Sequence, residues 1–203
     1  MKNKFSLSLL AGFLIISFSN AQGGFESGYV ITNSSDTLFG NVKAKYTIGA
    51  GQHKIFFQTP GSSEKKKFFA PDIKEFKKGR DVFEVINMNK IVQAGVFASG
   101  YYDTSAFAQV LVKGFLSLYE IFERTNTGSG PYGGGGTVTN TYWLLKKRNS
   151  SSFYKVKFFG YKKQMLAFFD DCRSLQDKIT DRELKRSDMV EIVNFYNEMC
   201  GLR

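Results

Sequence analysis

The sequence predicts an α+β fold, in which an antiparallel, curved or barrel-like β-sheet is followed by two or three C-terminal helices. Two observations support this fold class. Alternating apolar and polar side chains, typical of strands, dominate as far as Phe159, and from Tyr161 the apolar residues recur at helical spacing. Strands and helices that occupy separate parts of a chain are typical of α+β proteins.

The centre of the predicted sheet is the stretch 109–122, which reads as two strands joined at Lys113-Gly114. Apolar side chains occupy nearly both faces of these strands, as expected in the middle of a sheet rather than at its edge. The glycine suits a tight hairpin turn.

The chain before this hairpin is predicted to form short strands separated by turns rich in glycine, proline, asparagine and serine. The predicted strands are 28–31, 37–46, 53–58, 66–70, 72–77 and 82–86. Residues 87–100 fit either a pair of strands or a poor helix, and we favour strands.

A glycine-rich segment, 124–140, separates the central hairpin from a second predicted hairpin, 141–147 with 152–159. Its composition indicates a flexible linker or hairpin loop, and the alternative is a lid that closes over a ligand. Tyr132 is the large side chain in its middle. The segment lacks the Lys-Ser/Thr ending of a phosphate-binding P-loop.

Helices are predicted over the remaining segment, about 160–201. Ser174 with Asp177 three residues later resembles a capping box at the start of the second helix. The last helix is predicted to begin near Ser187 and to end at Gly201. Its apolar residues are predicted to form one stripe: Met189, Ile192, Val193, Tyr196, Met199 and Cys200.

The first 21 residues have the pattern of a secretory signal peptide: a basic start, an apolar run and small residues before Gln22. The remainder, 22–203, suits a single domain. No cysteine follows the apolar run to carry a lipid anchor, and no later segment is apolar enough to span a membrane. The sequence therefore predicts a periplasmic or secreted protein.

The chain is basic, with a net charge of +10, and the lysines concentrate in the first half. Lysines on strands commonly face solvent and protect sheet edges, which is the simplest explanation. They can also attract anions, so the expected partners are an anionic glycan, a lipid surface or a protein of the cell envelope rather than nucleic acid. The candidate binding residues are Lys65, Lys66, Lys67 and Tyr132.

The two cysteines, Cys172 and Cys200, are a candidate disulfide because export leads to an oxidising compartment. Two buried free thiols on facing helices are the alternative.

No catalytic pattern is present. His53 is the only histidine, which excludes a two-histidine metal site, and no Gly-x-Ser-x-Gly elbow occurs. Asp170-Asp171 is predicted at a helix end facing water, and nothing selects a catalytic carboxylate pair. We therefore assign no catalytic residue, metal or cofactor.

Aromatic residues are abundant, and phenylalanine doublets occur at 56–57, 68–69, 158–159 and 168–169. A doublet in a strand places one ring on each face, so some rings are expected to be exposed and able to bind a sugar or a partner. A phenylalanine-rich core is the simpler explanation.

Four runs occur in a recognisable order: GYVITxxxxDTLxGxV from Gly28, KFFAPDIKxF from Lys67, VLVxGxLSLY from Val110 and KKQMLxFFxDC from Lys162. Together they resemble a family of uncharacterised secreted proteins of Bacteroidota. The resemblance implies export, a β-rich body and C-terminal helices, but no catalytic or binding residue. The glycine-rich segment departs from that pattern as an insertion.

The leading functional hypothesis is an exported, non-enzymatic binding or structural protein of the cell envelope. Two alternatives stay open: a hydrolase acting on envelope glycans through unidentified carboxylates, and a carrier of a small apolar ligand within a curved sheet. Facing carboxylates would favour the hydrolase, an enclosed apolar cavity the carrier, and an exposed aromatic or basic patch the binding protein.

Overall fold

The computed structural model describes residues 24–44, 54–92, 105–127 and 136–201. In these ranges eleven strands form one sheet and three α-helices follow, which confirms the predicted α+β class. The strands are β1 Glu26–Thr32, β2 Thr37–Ala44, β3 Lys54–Gln58, β4 Lys66–Phe69, β5 Ile73–Lys78, β6 Asp81–Asn87, β7 Ile91–Val92, β8 Ser105–Val112, β9 Leu116–Thr127, β10 Gly136–Lys147 and β11 Phe153–Lys155. The helices are α1 Tyr161–Phe168, α2 Arg173–Thr180 and α3 Met189–Met199.

The strand order is β4-β3-β2-β1-β5-β6-β8-β9-β10-β11-β7. Neighbouring strands are antiparallel except β11 and β7, which are parallel. In the described residues the order ends at β4 on one side and β7 on the other, so the sheet is open rather than a closed barrel.

The central hairpin is β8 with β9, and it lies inside the sheet as predicted. The two faces of β9 are both buried: Leu116 and Leu118 pack in one cluster, and Tyr119 and Ile121 in another. The turn glycine is required by packing, because a Cβ atom on Gly114 would lie 2.5 Å from the Asn197 amide. A register shift near the end of β8 interrupts the simple alternation expected there.

The first half of the sheet is packed by strand side chains alone. Its cluster takes residues from β1 to β6, and the stacked rings of Phe76 and Phe83 lie 4.6 Å apart near its centre. Among the described residues the members of this cluster all lie on strands, so side chains of neighbouring strands pack against one another there.

The helices cover one face of the second half. Ile192, Val193 and Tyr196 of α3 are buried against β9 and β10, whereas Met199, predicted on the same stripe, is 58% exposed. The Asn197 amide accepts a hydrogen bond from the Leu116 N–H at 2.8 Å and donates one to its carbonyl at 2.9 Å. In the described part of the chain no helix has the length and apolar character needed to cross a bilayer.

Three local predictions were wrong. The strand predicted through Phe159 ends at Lys155, because the chain turns away from the sheet there. Helix α2 begins at Arg173 after Cys172, without a side-chain cap, so Ser174 is not its capping residue. The predicted linker or hairpin loop 124–140 is too long, because β9 extends to Thr127 and β10 begins at Gly136. The last helix does begin near Ser187, with a 3₁₀ turn from Arg186 to Asp188 that leads into α3 at Met189.

Candidate functional site

The segment 156–160, which joins β11 to α1, carries two neighbouring exposed phenylalanine rings, and we call it the Phe158–Phe159 tip. Phe158 is 70% exposed and Phe159 is 85% exposed, with ring centres 5.2 Å apart. In each of the other doublets one ring is buried, as in Phe57, Phe68 and Phe169. A contiguous exposed apolar pair is the kind of surface that marks an interaction site.

The backbone of the tip is held by Gln164 of α1, whose side chain is buried. The Gln164 amide donates to the Lys155 carbonyl at 2.8 Å and accepts from the Lys157 N–H at 2.7 Å. Between them, the Val156 N–H donates to the Trp143 carbonyl of β10. Gly160 has φ of +71°, which favours glycine, and it turns the chain into α1. The rings therefore project from a fixed backbone.

A cleft of about 420 Å³ lies beside the tip. It lies where β10 runs past the end of β11, which pairs with Leu144 and Leu145 of β10. The lining residues are Asn140, Thr141, Tyr142, Lys155, Val156, Lys157, Phe158, Phe159 and Arg186. Of the described side chains in this lining, three are cationic and none is acidic.

Arg186 lies between two aromatic rings at the side of this cleft. The central carbon of its guanidinium is 4.9 Å from the centre of the Trp143 ring and 5.0 Å from that of Phe158. Its Nε is buried and has no hydrogen-bond acceptor among the described residues. Such a donor costs about 1–3 kcal/mol when left unpaired.

The position of Arg186 is set by the 3₁₀ turn that precedes α3. The Lys185 N–H donates to the Asp188 carboxylate at 2.8 Å, and the Asp188 N–H donates to the Lys185 carbonyl at 2.9 Å. The hydrogen bond from the Lys185 backbone lowers the pKa of the Asp188 carboxyl. The carboxylate is therefore used to fix the turn.

Further cations surround the tip. Lys155 Nζ lies 3.6 Å from the centre of the Tyr142 ring, which forms one wall of the cleft. Lys162 and Lys163 follow in the first turn of α1 and are exposed. The exposed rings are thus flanked by positive charge on both sides along the chain.

Comparison of the chain with protein family models, with characterised proteins and with solved structures gave no match. The function of the tip is therefore argued from its geometry, and the resemblance to secreted proteins of Bacteroidota stays a prediction.

The lysines predicted as binding residues lie elsewhere, at and just before β4, which is the last strand on its side of the described sheet. All three are exposed, and their ammonium groups lie 4.8 to 5.6 Å from aromatic ring centres. The pairs are Lys65 with Phe25, Lys66 with Phe68 and Lys67 with Phe69. This arrangement suits protection of a sheet edge. Tyr132 and His53 lie outside the described residues.

A carboxylate pair that sequence reasoning missed lies on the sheet. Glu75 of β5 and Glu84 of β6 are directly opposite each other, and Lys113 Nζ lies 3.6 Å and 2.7 Å from their respective oxygens. The Tyr29 hydroxyl donates to Glu75 at 2.6 Å, and the Tyr119 hydroxyl donates to Glu84 at 2.8 Å. Both carboxylates are thus engaged by the same ammonium and by tyrosines, an arrangement that suits a structural network.

The cysteines are joined in the structure: Cys172, before α2, and Cys200, after α3, form a disulfide with Cα atoms 5.8 Å apart. Asp171 accepts hydrogen bonds from the Lys147 ammonium at 2.8 Å and the Tyr196 hydroxyl at 2.7 Å. Burial opposes ionisation of Asp171, but these two donors outweigh it and lower its pKa. In the described residues no group of three metal-ligating side chains occurs.

Proposed function

We propose that this chain is an exported, non-enzymatic binding module that attaches to the anionic surface of a lipid bilayer through the Phe158–Phe159 tip. The observation that carries the proposal is the exposure of two adjacent phenylalanine side chains beside a cleft lined by Lys155, Lys157 and Arg186. Export is supported by the pattern of the first 21 residues and by the disulfide, which is typical of oxidising compartments.

The two kinds of side chain at the tip act together at a bilayer surface. Phenylalanine gains free energy on leaving water, up to about 1.5–3 kcal/mol for full burial of the ring. Lysine and arginine near an anionic surface contribute about 1 kcal/mol each. Phe158 and Phe159 would enter the interfacial region while Lys157 and Lys162 stay at the level of the headgroups.

A lipid surface fits this tip better than the other partners. A site for an acidic glycan is expected to combine cations with aromatic rings that lie flat against the protein, so that sugars can stack on them. Phe159, in contrast, is 85% exposed. The hydrolase alternative needs an accessible carboxylate pair, and Glu75 with Glu84 is occupied by Lys113 and two tyrosines. The carrier alternative needs an enclosed apolar cavity, whereas the clefts found among the described residues are surface grooves.

The test is flotation of the protein, without residues 1–21, with vesicles of phosphatidylcholine or of phosphatidylcholine mixed with phosphatidylglycerol. The protein is expected to float only with the mixed vesicles and to be released at about 1 M salt, where the Debye length falls to about 3 Å. The double variant Phe158→Ser/Phe159→Ser should bind the mixed vesicles at least tenfold more weakly, since it loses both apolar side chains.

The matched control is Phe39→Ser, which changes a ring that is 71% exposed on β2, far from the tip in the strand order. It should bind vesicles like the unchanged protein, and circular dichroism should show all variants folded. Equal binding by the double variant and Phe39→Ser would rule out the tip as the attachment site. Binding to a soluble acidic polysaccharide but not to vesicles would identify a glycan, not a lipid surface, as the partner.

A further inference from the structure

We propose that the cleft beside the tip is a phosphate-binding site in which Arg186 binds a phosphate group, and that the Phe158 ring covers this arginine until it moves away. The inference rests on the proposed function, because the phosphate in question is that of a phospholipid headgroup. It goes further by naming the bound group and the residue that binds it.

Arg186 carries a hydrogen-bond donor that is unpaired among the described residues. Arg186 Nε is buried without an acceptor among the described residues, and none of the ion pairs found there involves Arg186. Guanidinium groups form their strongest hydrogen bonds with carboxylate and phosphate oxygens, often through two parallel N–H donors. An oxyanion in the cleft would supply the acceptor that the described residues do not.

The Arg186 guanidinium is held in position by its neighbours. Trp143 and Phe158 each lie about 5 Å from its central carbon, and the reciprocal hydrogen bonds of Lys185 and Asp188 fix the turn that carries it. A guanidinium that is already oriented loses less conformational entropy when it binds an anion.

The charge and size of the cleft suit a phosphate monoester. Arg186, Lys155 and Lys157 place three cations around the cleft, and Asn140 and Thr141 add side chains that can donate hydrogen bonds. A volume of about 420 Å³ is in the range of small-ligand sites. A phosphate monoester, such as the headgroup of phosphatidic acid, carries about −1.5 to −2 charges near neutral pH. It therefore matches three cations better than a carboxylate or a phosphodiester, each with a single charge.

Phe158 connects this site to the membrane. Its ring is 70% exposed, and the ring centre lies 5.0 Å from the central carbon of the Arg186 guanidinium. Outward movement of this ring would uncover that side of the guanidinium. When the ring enters the bilayer, Arg186 becomes accessible to a headgroup phosphate. Removal of this ring should therefore weaken attachment to vesicles but leave intact, or strengthen, binding of a soluble phosphate compound.

Trp143 provides the measurement, because it is the only tryptophan of the chain and lies against Arg186. Its fluorescence would be followed while inorganic phosphate, or a short-chain phosphatidic acid below the concentration at which it forms micelles, is added. Acetate at equal ionic strength is the control for carboxylates. The variants are Arg186→Gln, Arg186→Lys, which keeps the charge but not the planar donor group, and Phe158→Ala.

We expect saturable binding of a phosphate probe, weakened at least tenfold in Arg186→Gln, weakened less in Arg186→Lys, and unchanged or tighter in Phe158→Ala. Similar affinity for both probes would indicate a site for free phosphate, and much tighter binding of phosphatidic acid would indicate the lipid headgroup. Equal affinity in Arg186→Lys and the unchanged protein, an equal response to acetate, or no response to either phosphate probe would overturn the site. If the protein still bound vesicles after one of these negative results, the proposed membrane attachment would be retained and the phosphate site at Arg186 would be rejected.

Discussion

The two halves of the sheet bury their apolar residues by different means. From β1 to β6 the core is made of strand side chains alone, with the Phe76 and Phe83 rings stacked at its centre. From β8 to β11 both faces are buried, and α1, α2 and α3 cover one of them. The first half therefore depends on ring packing between strands, and the second on helices that the disulfide holds together.

The two halves also use cations differently. At β4, Lys66 lies over the ring of Phe68 and Lys67 over that of Phe69, both rings of the same strand. Beside α1, Arg186 lies between Trp143 and Phe158, and the neighbouring Phe159 is 85% exposed to solvent. The binding surface proposed above is thus not where the lysines are most numerous. It is marked instead by an aromatic pair left exposed on a backbone that the helical half holds in place.

The largest expected effect is in the first half. Phe76→Ala should lower the free energy of unfolding by about 3–5 kcal/mol, because the ring is 1% exposed and its removal leaves a cavity against Phe83 and Phe107. Urea denaturation followed by circular dichroism measures this. Phe39→Ala, at a ring that is 71% exposed, should change stability by about 0.5 kcal/mol or less. A loss below about 1 kcal/mol for Phe76→Ala would mean that the strand-only core is not tightly packed.

The next effect is in the second half. Breaking the disulfide between Cys172 and Cys200, which are 28 residues apart, should lower the free energy of unfolding by about 3–4 kcal/mol through the greater entropy of the unfolded chain. Urea denaturation with and without a reducing agent measures the loss, and Cys172→Ser/Cys200→Ser should reproduce it. Thiol labelling of the oxidised protein should find no free thiol. Labelling of both cysteines before reduction would contradict the cross-link.

Much of the first half could be predicted from sequence because its determinants are local. The alternation of apolar and polar residues predicted β1 to β6. Leu118 and Tyr119 lie on opposite faces of β9, and because both faces are apolar, β9 was correctly predicted to lie inside the sheet. Helical spacing of Ile192 and Tyr196 likewise gave the buried stripe of α3. These patterns need no knowledge of distant partners.

The candidate site could not be predicted in the same way because distant residues determine it. The run from Ser152 to Phe159 alternates like a strand, but Gln164 binds the backbone on both sides of Val156 and the chain leaves the sheet. Arg186 reaches the cleft from a turn before α3. The available indication was the doublet Phe158–Phe159, which lies between lysines and before a glycine, unlike the doublet at 168–169.

The smallest expected effect concerns the network that joins the halves, in which Lys113 of the β8–β9 turn binds Glu75 and Glu84 of the first half. Burial and the hydrogen bond to Glu75 raise the pKa of Tyr29 from 10.0 to about 12. The unfolded chain therefore releases this proton at a lower pH than the folded protein does. The resulting stabilisation is complete below about pH 10 and is lost as the pH rises to about 12.

Tyr29→Phe removes this ionisation, so its stability should fall less steeply than that of the unchanged protein between about pH 10 and about pH 12. Urea midpoints measured across that range give the two slopes. The hydrogen bond to Glu84 raises the pKa of Lys113, so deprotonation of Lys113 also lowers stability as the pH rises. This loss occurs in both proteins, and the difference between their slopes therefore reports the ionisation of Tyr29. Parallel slopes would show that the Tyr29 hydroxyl is as free to ionise in the folded protein as in the unfolded chain, and the network would then not connect β1 to the second half.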